Sequence, residues 1–229
     1  MRLLRAKSIP LRILTRAAEP AEGPDSVTGD LAKPATLDRA MAGVDQVFLL
    51  SSAAHDERAW PGQADEHLRA SGVPFTIIRP NFYLHNVTAG WAPTLDPAGN
   101  YYAPAGGARI SMVDARDVAS VAAAALTEPG HAGRSYDVTG PEALSHAEAC
   151  EKLGEKLGRT VTYVPVDDET ARSAMLGAGL NQWLTHALVE LYQDYRRSGR
   201  DGYAAQVHAT VFDVTGTKPR TLETALAEE

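Results

Sequence analysis

The 229 residues carry a net charge of −7, with 44% apolar and 22% charged side chains and a single cysteine. That length suits one α/β domain with a small appended lobe. The acidic balance speaks against nucleic acid as a partner, because neutralising phosphates needs a basic face. Cys150 alone excludes an intramolecular disulfide and points to a reducing, cytoplasmic setting. No window approaches 18 uninterrupted apolar residues, so no transmembrane helix and no membrane partner is expected. Met1–Arg5 is too short and too quickly interrupted for a signal peptide.

In chain order, Leu3 and Leu4 among Arg2, Arg5 and Lys7 resemble the back half of a helix, broken by Ser8-Ile9-Pro10. Leu11–Arg16 alternates as a strand should, and Val27–Leu31 reads as a short strand and turn. Pro34–Ala42 is a one-sided helix ended by Gly43. Val44–Leu50 holds the most continuous apolar run, as a doubly covered parallel strand would. Gln63–Ala70 is helical in pattern, and Phe75–Arg79 is a short β-branched and aromatic strand closed by Pro80. Leu84–Gly107, with Pro93, Pro97, Gly99 and Pro104, reads as a long loop, a lid or substrate loop.

Asp114–Leu126 is a clear helix with Asp114 at its N-cap. Arg134–Thr139 and Val161–Val166 are strands, and Ser145 caps a helix that Gly158 ends. Asp167–Leu176 and Leu180–Arg197 are helices, the second with an inward stripe of Leu184, Leu188, Leu191 and Tyr192. Ala204–Thr215 is expected to be helical, and Thr221 caps a last short helix. The predicted architecture is α/β, a mostly parallel sheet flanked by helices, with a small C-terminal helical lobe. Leu11–Arg16, Val44–Leu50 and Phe75–Arg79 are expected to be parallel in one sheet. Leu11–Arg16 either pairs directly with Val44–Leu50 or leaves an edge open to a second copy, a homodimer.

The stretch Ser71-Gly-Val-Pro-Phe-Thr-Ile-Ile-Arg-Pro-Asn-Phe-Tyr83 resembles the core segment of the NmrA-like branch of the atypical short-chain dehydrogenase/reductases, a Rossmann-type NAD(P)-binding family. Other pieces follow the family in order: Thr15-Arg16, Gly29-Asp30-Leu31, Gly43-Val44-Asp45, Asp114–Ala119, Tyr136–Glu142 and Gly216–Thr221. The resemblance implies a Rossmann-like NAD(P)-binding part over 1–140 and a smaller substrate lobe over 141–229 packed on it. It also implies hydride transfer to a small carbonyl, quinone or similar electrophile. The alternative within the family is a non-catalytic nucleotide-sensing regulator or a degenerate pseudoenzyme.

Two departures from the family pattern bear on that choice. No Gly-x-Gly-x-x-Gly or Gly-x-x-Gly-x-x-Gly occurs, and the chain reads as beginning inside the helix that should follow such a turn. Only 11 residues, Ser51–Pro61, separate Leu50 from Gly62, too few for the helix and strand the family places there. Weak cofactor binding is therefore expected.

The resemblance puts the adenosine half of a dinucleotide at Thr15, Arg16, Asp30 and Leu31. Arg16 favours NADP(H) over NAD(H), since a guanidinium suits a 2′-phosphate and a carboxylate suits a 2′-hydroxyl. Ser51 and Ser52 are expected to meet ribose or pyrophosphate, or to cap the next helix. Pro80, Asn81 and Phe82 line the nicotinamide, and Tyr83 faces substrate. Arg79 reads as an internal hydrogen-bonding hub. Trp91, Tyr101 and Tyr102 either close over an apolar substrate or pack as a minor core.

No tyrosine has a lysine four residues on, so the Tyr-x-x-x-Lys pair of the wider superfamily is absent and the proton donor is unassigned. His55, Asp56, Glu57, Asp65, Glu66 and His67 form either an acid/base group or a solvated helix face. No metal-binding spacing and no nucleophile elbow is present.

Overall fold

The computed structural model describes residues 2–15, 25–30, 33–48, 69–70, 74–198 and 201–228. The chain divides into two compact units. One comprises Met1–Ala53 with Leu126–Glu128, the other Ala54–Ala125 with Pro129–Glu229.

In the first unit a short helix α1 (Arg2–Ala6) precedes strand β1 (Arg12–Thr15). The latter pairs in parallel with β2 (Asp25–Thr28), Thr15 opposite Thr28. Arg12 fixes this pair to the next element: its Nε donates to Asp25 at 2.7 Å and its Nη1 to the Ala42 carbonyl at 2.7 Å. Helix α2 (Asp38–Met41) ends ahead of Gly43 at φ 69°. The strand expected at Val44–Leu50 does not form over its described residues. Residues 44–48 have no strand pairing, and Val47 and Phe48 are more than half exposed. β1 pairs with Asp25–Thr28, and not with the described residues 44–48 of the expected strand. An apolar run signals burial only where a neighbour covers it, and pairing depends on residues far along the chain.

In the second unit β3 (Thr76–Pro80) pairs in parallel with β6 (Arg134–Val138), Pro80 opposite Val138. The segment expected to be a lid is core. It folds as a π-helical turn (Asn86–Trp91), a 3₁₀ turn (Ala92–Thr94) and strand β4 (Asn100–Ala103). β4 pairs in parallel with β8 (Thr162–Pro165). Its prolines and glycines shape tight turns between buried side chains: Leu84, Val87, Trp91, Tyr101 and Ala103 are all under one-tenth exposed. β5 (Arg109–Ile110) and β7 (Leu144–Ser145) make an antiparallel pair. The three longer pairs are all parallel, but among the described residues β1 and β3, expected in one sheet, belong to separate two-stranded pairs.

Helix α3 (Ala115–Thr127) begins after Asp114, whose Oδ1 accepts the Arg116 N–H at 2.7 Å. Helix α4 (His146–Leu157) has a full capping box: Ser145 and Glu148 satisfy each other's backbone N–H groups. It buries Ala149, Cys150 and Leu153, and Gly158 at φ 63° ends it. Helices α5 (Asp168–Gly177) and α6 (Gln182–Ser198) follow. The buried face of α6 is Thr185, Val189, Tyr192 and Tyr195, one position round from the predicted leucine stripe. That face meets an aromatic core, whereas Leu184, Leu188 and Leu191 lie half-buried at its margin. Tyr203–Ala205 is a 3₁₀ turn and residues 206–209 belong to no helix, so only α7 (Thr210–Thr215) fulfils the expected 204–215 helix. α8 (Leu222–Ala227) is capped by Thr221 as anticipated.

Candidate active site

In the first unit, β1 and β2 end side by side. The Gly29 N–H donates to the Thr15 carbonyl at 2.9 Å, which brings Thr15 and Asp30 to the same edge. The turn is close: a Cβ on Gly29 would lie 3.0 Å from the Thr36 carbonyl and would displace the Leu14 side chain, whose Cδ1 is 2.7 Å away. Thr36 then shapes the loop, its Oγ1 accepting the Asp30 N–H at 2.9 Å. Two adjacent parallel strand ends with a close backbone turn and a carboxylate suit the adenosine half of a dinucleotide. Arg16, Leu31, Ser51 and Ser52, assigned to the same cofactor, lie outside the described residues, as do His55, Asp56, Glu57, Asp65, Glu66 and His67.

The second unit is built around the carboxyl ends of β3 and β6. The Asn81 N–H extends the pairing to the Val138 carbonyl at 3.0 Å. The segment after β5 then runs beside residues 82–84: the Val113 N–H donates to Phe82 and the Leu84 N–H to Val113. Gly140 permits this approach, since a Cβ there would stand 2.0 Å from the Met112 carbonyl.

A fourth segment, residues 203–208, crosses both strand ends. The Ala204 carbonyl accepts from Asn81 Nδ2 and from the Ser111 N–H, each at 2.8 Å. Ser111 Oγ accepts from Asn81 Nδ2 at 2.9 Å and donates to the Gln206 carbonyl at 2.6 Å. The His208 N–H donates to Thr139 Oγ1 at 2.9 Å. These bonds orient the Asn81 amide. Its NH₂ must face Ala204, which only accepts, while Oδ1 takes the Phe82 N–H at 2.8 Å, which only donates. The internal hub expected at Arg79 is thus Asn81, and Arg79 is exposed.

Pro80 closes β3, and Phe82 and Tyr83 are half-buried beside it. Burial raises the Tyr83 phenol above its ordinary pKa, so it is neutral at physiological pH. Trp91 and Tyr101 are not at this opening. They stack on each other in the core with ring centroids 4.2 Å apart. Tyr102 is exposed and donates to Asp96 at 2.8 Å on a turn, where the Asn100 N–H and side chain, then the Tyr102 hydroxyl, hold the carboxyl down to about 2.

Against the stacked pair lies His146, fully buried, its ring 4.9 Å from Trp91 and 5.4 Å from Tyr163. Neither of its nitrogens has a hydrogen-bond partner among the described residues. Burial pushes its pKa down to about 4. Cys150 is also fully buried and its thiol is pushed up to about 12, so it is neutral and no nucleophile.

Ser111 and the 203–208 segment carried no motif in the sequence, and Thr139, within the Tyr136–Glu142 piece of the resemblance, was given no site role. Ser111 sits between Ile110 and Met112 in a run that reads as plain core, and its partner carbonyl at Ala204 is 93 residues away. No helix of the described residues is long and apolar enough to cross a membrane.

The family model described as NmrA-like matches residues 62–224. An NAD(P)H azoreductase from Xenophilus azovorans is 34% identical over 261 aligned positions, covering 96% of this chain and 90% of that protein. The alignment is longer than the 229 residues of this chain, so this chain is internally shorter than that relative. The NADPH-dependent quinone oxidoreductase of Escherichia coli, solved with NADPH, superposes with a TM-score of 0.85 at 21% identity, covering 99% and 94% of the two chains. The Citrobacter sp. triphenylmethane reductase, complexed with NADP(H), gives 0.83 at 20% identity, covering 99% and 93%. The chain therefore belongs to the NmrA-like family and is a Rossmann-like, NAD(P)H-dependent oxidoreductase-family protein of the atypical short-chain dehydrogenase/reductase type.

Proposed function

We propose that this protein is a cytoplasmic reductase that uses NADP(H), in preference to NAD(H), to reduce a small apolar electrophile such as a quinone or an azo compound. The observation that carries this reading is the convergence of residues 80–83, 111–113, 139–140 and 203–208 at the carboxyl ends of two parallel strands. Ligands of open α/β sheets sit at such ends. The 34% identity to an NAD(P)H azoreductase supports the choice of substrate class.

NAD(P)H, when bound, supplies the hydride. Thr15 and Asp30 would hold the adenosine end with Arg16 and Leu31, Arg16 meeting the 2′-phosphate, and Ser51 and Ser52 the ribose or pyrophosphate. Pro80, Asn81 and Phe82 would border the nicotinamide. Because the Asn81 amide is committed to Ala204, Ser111 and Phe82, its part there is to set the backbone. Tyr83 supplies a half-buried, protonated phenol beside the strand end and would face substrate. Trp91 and Tyr101 belong to the core on which Phe82 packs, and Tyr102 is exposed.

The test is NADPH oxidation by the purified 229-residue chain with 1,4-naphthoquinone and with an azo dye as separate acceptors. Turnover of either above the uncatalysed rate supports the reading. Absence of turnover together with measurable NADPH binding favours the nucleotide-sensing alternative, which the lack of any Gly-x-Gly-x-x-Gly in the sequence recommends as the second reading.

A further inference from the structure

We propose that the strap Gly202–His208 is the specificity wall of the substrate site, with Tyr203 and Val207 the side chains that contact an apolar, preferably aromatic, substrate. This rests on the reductase reading above and adds to it the residues that select substrate.

The placement follows from the hydrogen bonds. The Ala204 carbonyl is held at the end of β3 by Asn81, and the His208 N–H at the end of β6 by Thr139. Between them Gln206 is held by Ser111. Ser111 is fully buried and Thr139 is 3% exposed, so the strap is fastened from beneath by polar groups that have left water. Breaking such bonds is costly, and the strap's backbone is accordingly fixed in place. A Cβ on Gly202 would come 2.5 Å from the Ser198 carbonyl oxygen and 2.7 Å from its carbon, so the start of the strap sits against the end of α6 at a spacing that glycine allows.

What the strap presents outward is apolar. Tyr203 is 55% exposed and Val207 50%, with Phe212 on the following helix at 52%. A rigid backbone spends three polar clamps to hold these side chains at the strand ends, where a plain surface loop would place polar ones. Among the described residues Tyr203 has one ring contact, its centre 6.2 Å from that of the buried Tyr195, and more than half of its surface is exposed. A flat ring so braced suits an aromatic ligand, which stacks offset or edge-on against it. Asn81, Ser111 and Thr139 are positioning residues acting through the strap.

The test compares wild type with Tyr203→Ala, Tyr203→Phe and Val207→Ser, using 1,4-naphthoquinone and 1,4-benzoquinone as acceptors from NADPH. Tyr203→Ala is expected to raise KM for the two-ring quinone about tenfold, with KM for the one-ring quinone and both kcat values changed less than about twofold. Tyr203→Phe should restore wild-type values, since the ring and not the hydroxyl makes the contact. Leu157→Ala, an exposed side chain at the end of α4, serves as control and should change nothing. Calorimetric titration of 1,4-naphthoquinone without NADPH separates the two readings. If wild type turns over neither quinone but binds 1,4-naphthoquinone about tenfold more tightly than Tyr203→Ala, the reductase reading fails and the wall stands. Equal constants in wild type, Tyr203→Ala and Val207→Ser overturn the wall, as does failure of wild type to bind either quinone.

Discussion

Asn81 and Ser111 are joined by a 2.9 Å hydrogen bond and share a target, the Ala204 carbonyl, which Asn81 reaches through its side chain and Ser111 through its backbone N–H. Three segments far apart in sequence are thereby locked at the end of one strand. The bonds form a small polar network inside an apolar surround, and such networks are stabilising only when every member is satisfied.

Asn81→Ala removes both donors to this network and leaves the Phe82 N–H without its acceptor. The loss should be about 2 kcal/mol, since an unsatisfied buried group costs roughly 1–3. Thermal unfolding should fall by about 4–8 °C for a chain of this size. Asn81→Asp, nearly the same shape, should be at least as damaging, because a carboxylate oxygen would then face the Ala204 carbonyl. Recovery of wild-type stability in the aspartate variant would show that the amide donors do not hold the strap.

His146 makes stability depend on acid. An unfolded histidine titrates near about 6.5, whereas burial among Trp91, Tyr101, Tyr163 and Tyr192 holds this one to about 4. Between those values the unfolded chain takes up a proton that the folded chain refuses. Stability is therefore full above the unfolded value and falls as pH drops toward the folded one. From pH 7 to pH 5 the loss from this residue should be about 2 kcal/mol. Urea unfolding at the two pH values measures it, and His146→Phe should remove that part of the slope.

Asp117 and Arg220 form an asymmetric pair. The carboxylate is 2% exposed, accepting both the Arg220 N–H at 2.7 Å and its guanidinium, while the arginine side chain is 32% exposed. Arg220→Ala strands a buried charge and should cost about 3–5 kcal/mol. Asp117→Asn keeps an acceptor for the Arg220 N–H and leaves a cation that water can reach, so it should cost less. Chemical denaturation of both variants gives the order, and equal losses would mean the guanidinium contributes little.

Cofactor affinity is the fourth expectation. A dinucleotide pyrophosphate is ordinarily held by charge-assisted bonds from a glycine turn, each worth roughly 1.5–3 kcal/mol. If nothing in the 229-residue chain replaces two of them, it should bind NADPH roughly a hundredfold to ten-thousandfold more weakly than a site with the glycine turn. Calorimetry giving a micromolar Kd would show that another cradle holds the pyrophosphate. Arg16→Ala should weaken NADPH more than NADH, because only NADPH offers a 2′-phosphate to the guanidinium. Equal weakening would make Arg16 structural.

The sequence by itself determined the local structure and the family. Ser145 and Thr221 announce helix starts, and Gly43 and Gly158 announce ends, because caps act within a few residues. The strand at Thr76–Pro80 was legible from its β-branched run, and the 71–83 segment carried the resemblance that the NmrA-like match sustains. Tertiary structure decided what is buried and what bonds to what. Proline and glycine spacing made residues 84–107 read as a lid, yet Trp91 and Tyr101 are core because β8 and α4 cover them. The apolar run at Val44–Leu50 pointed to a strand, yet Val47 and Phe48 are exposed. Nor could local pattern reveal that Asn81 reaches Ala204, 123 residues onward. Periodicity and capping report interactions within a turn or two of chain, whereas burial and long-range hydrogen bonding are set by which surfaces the folded topology brings together.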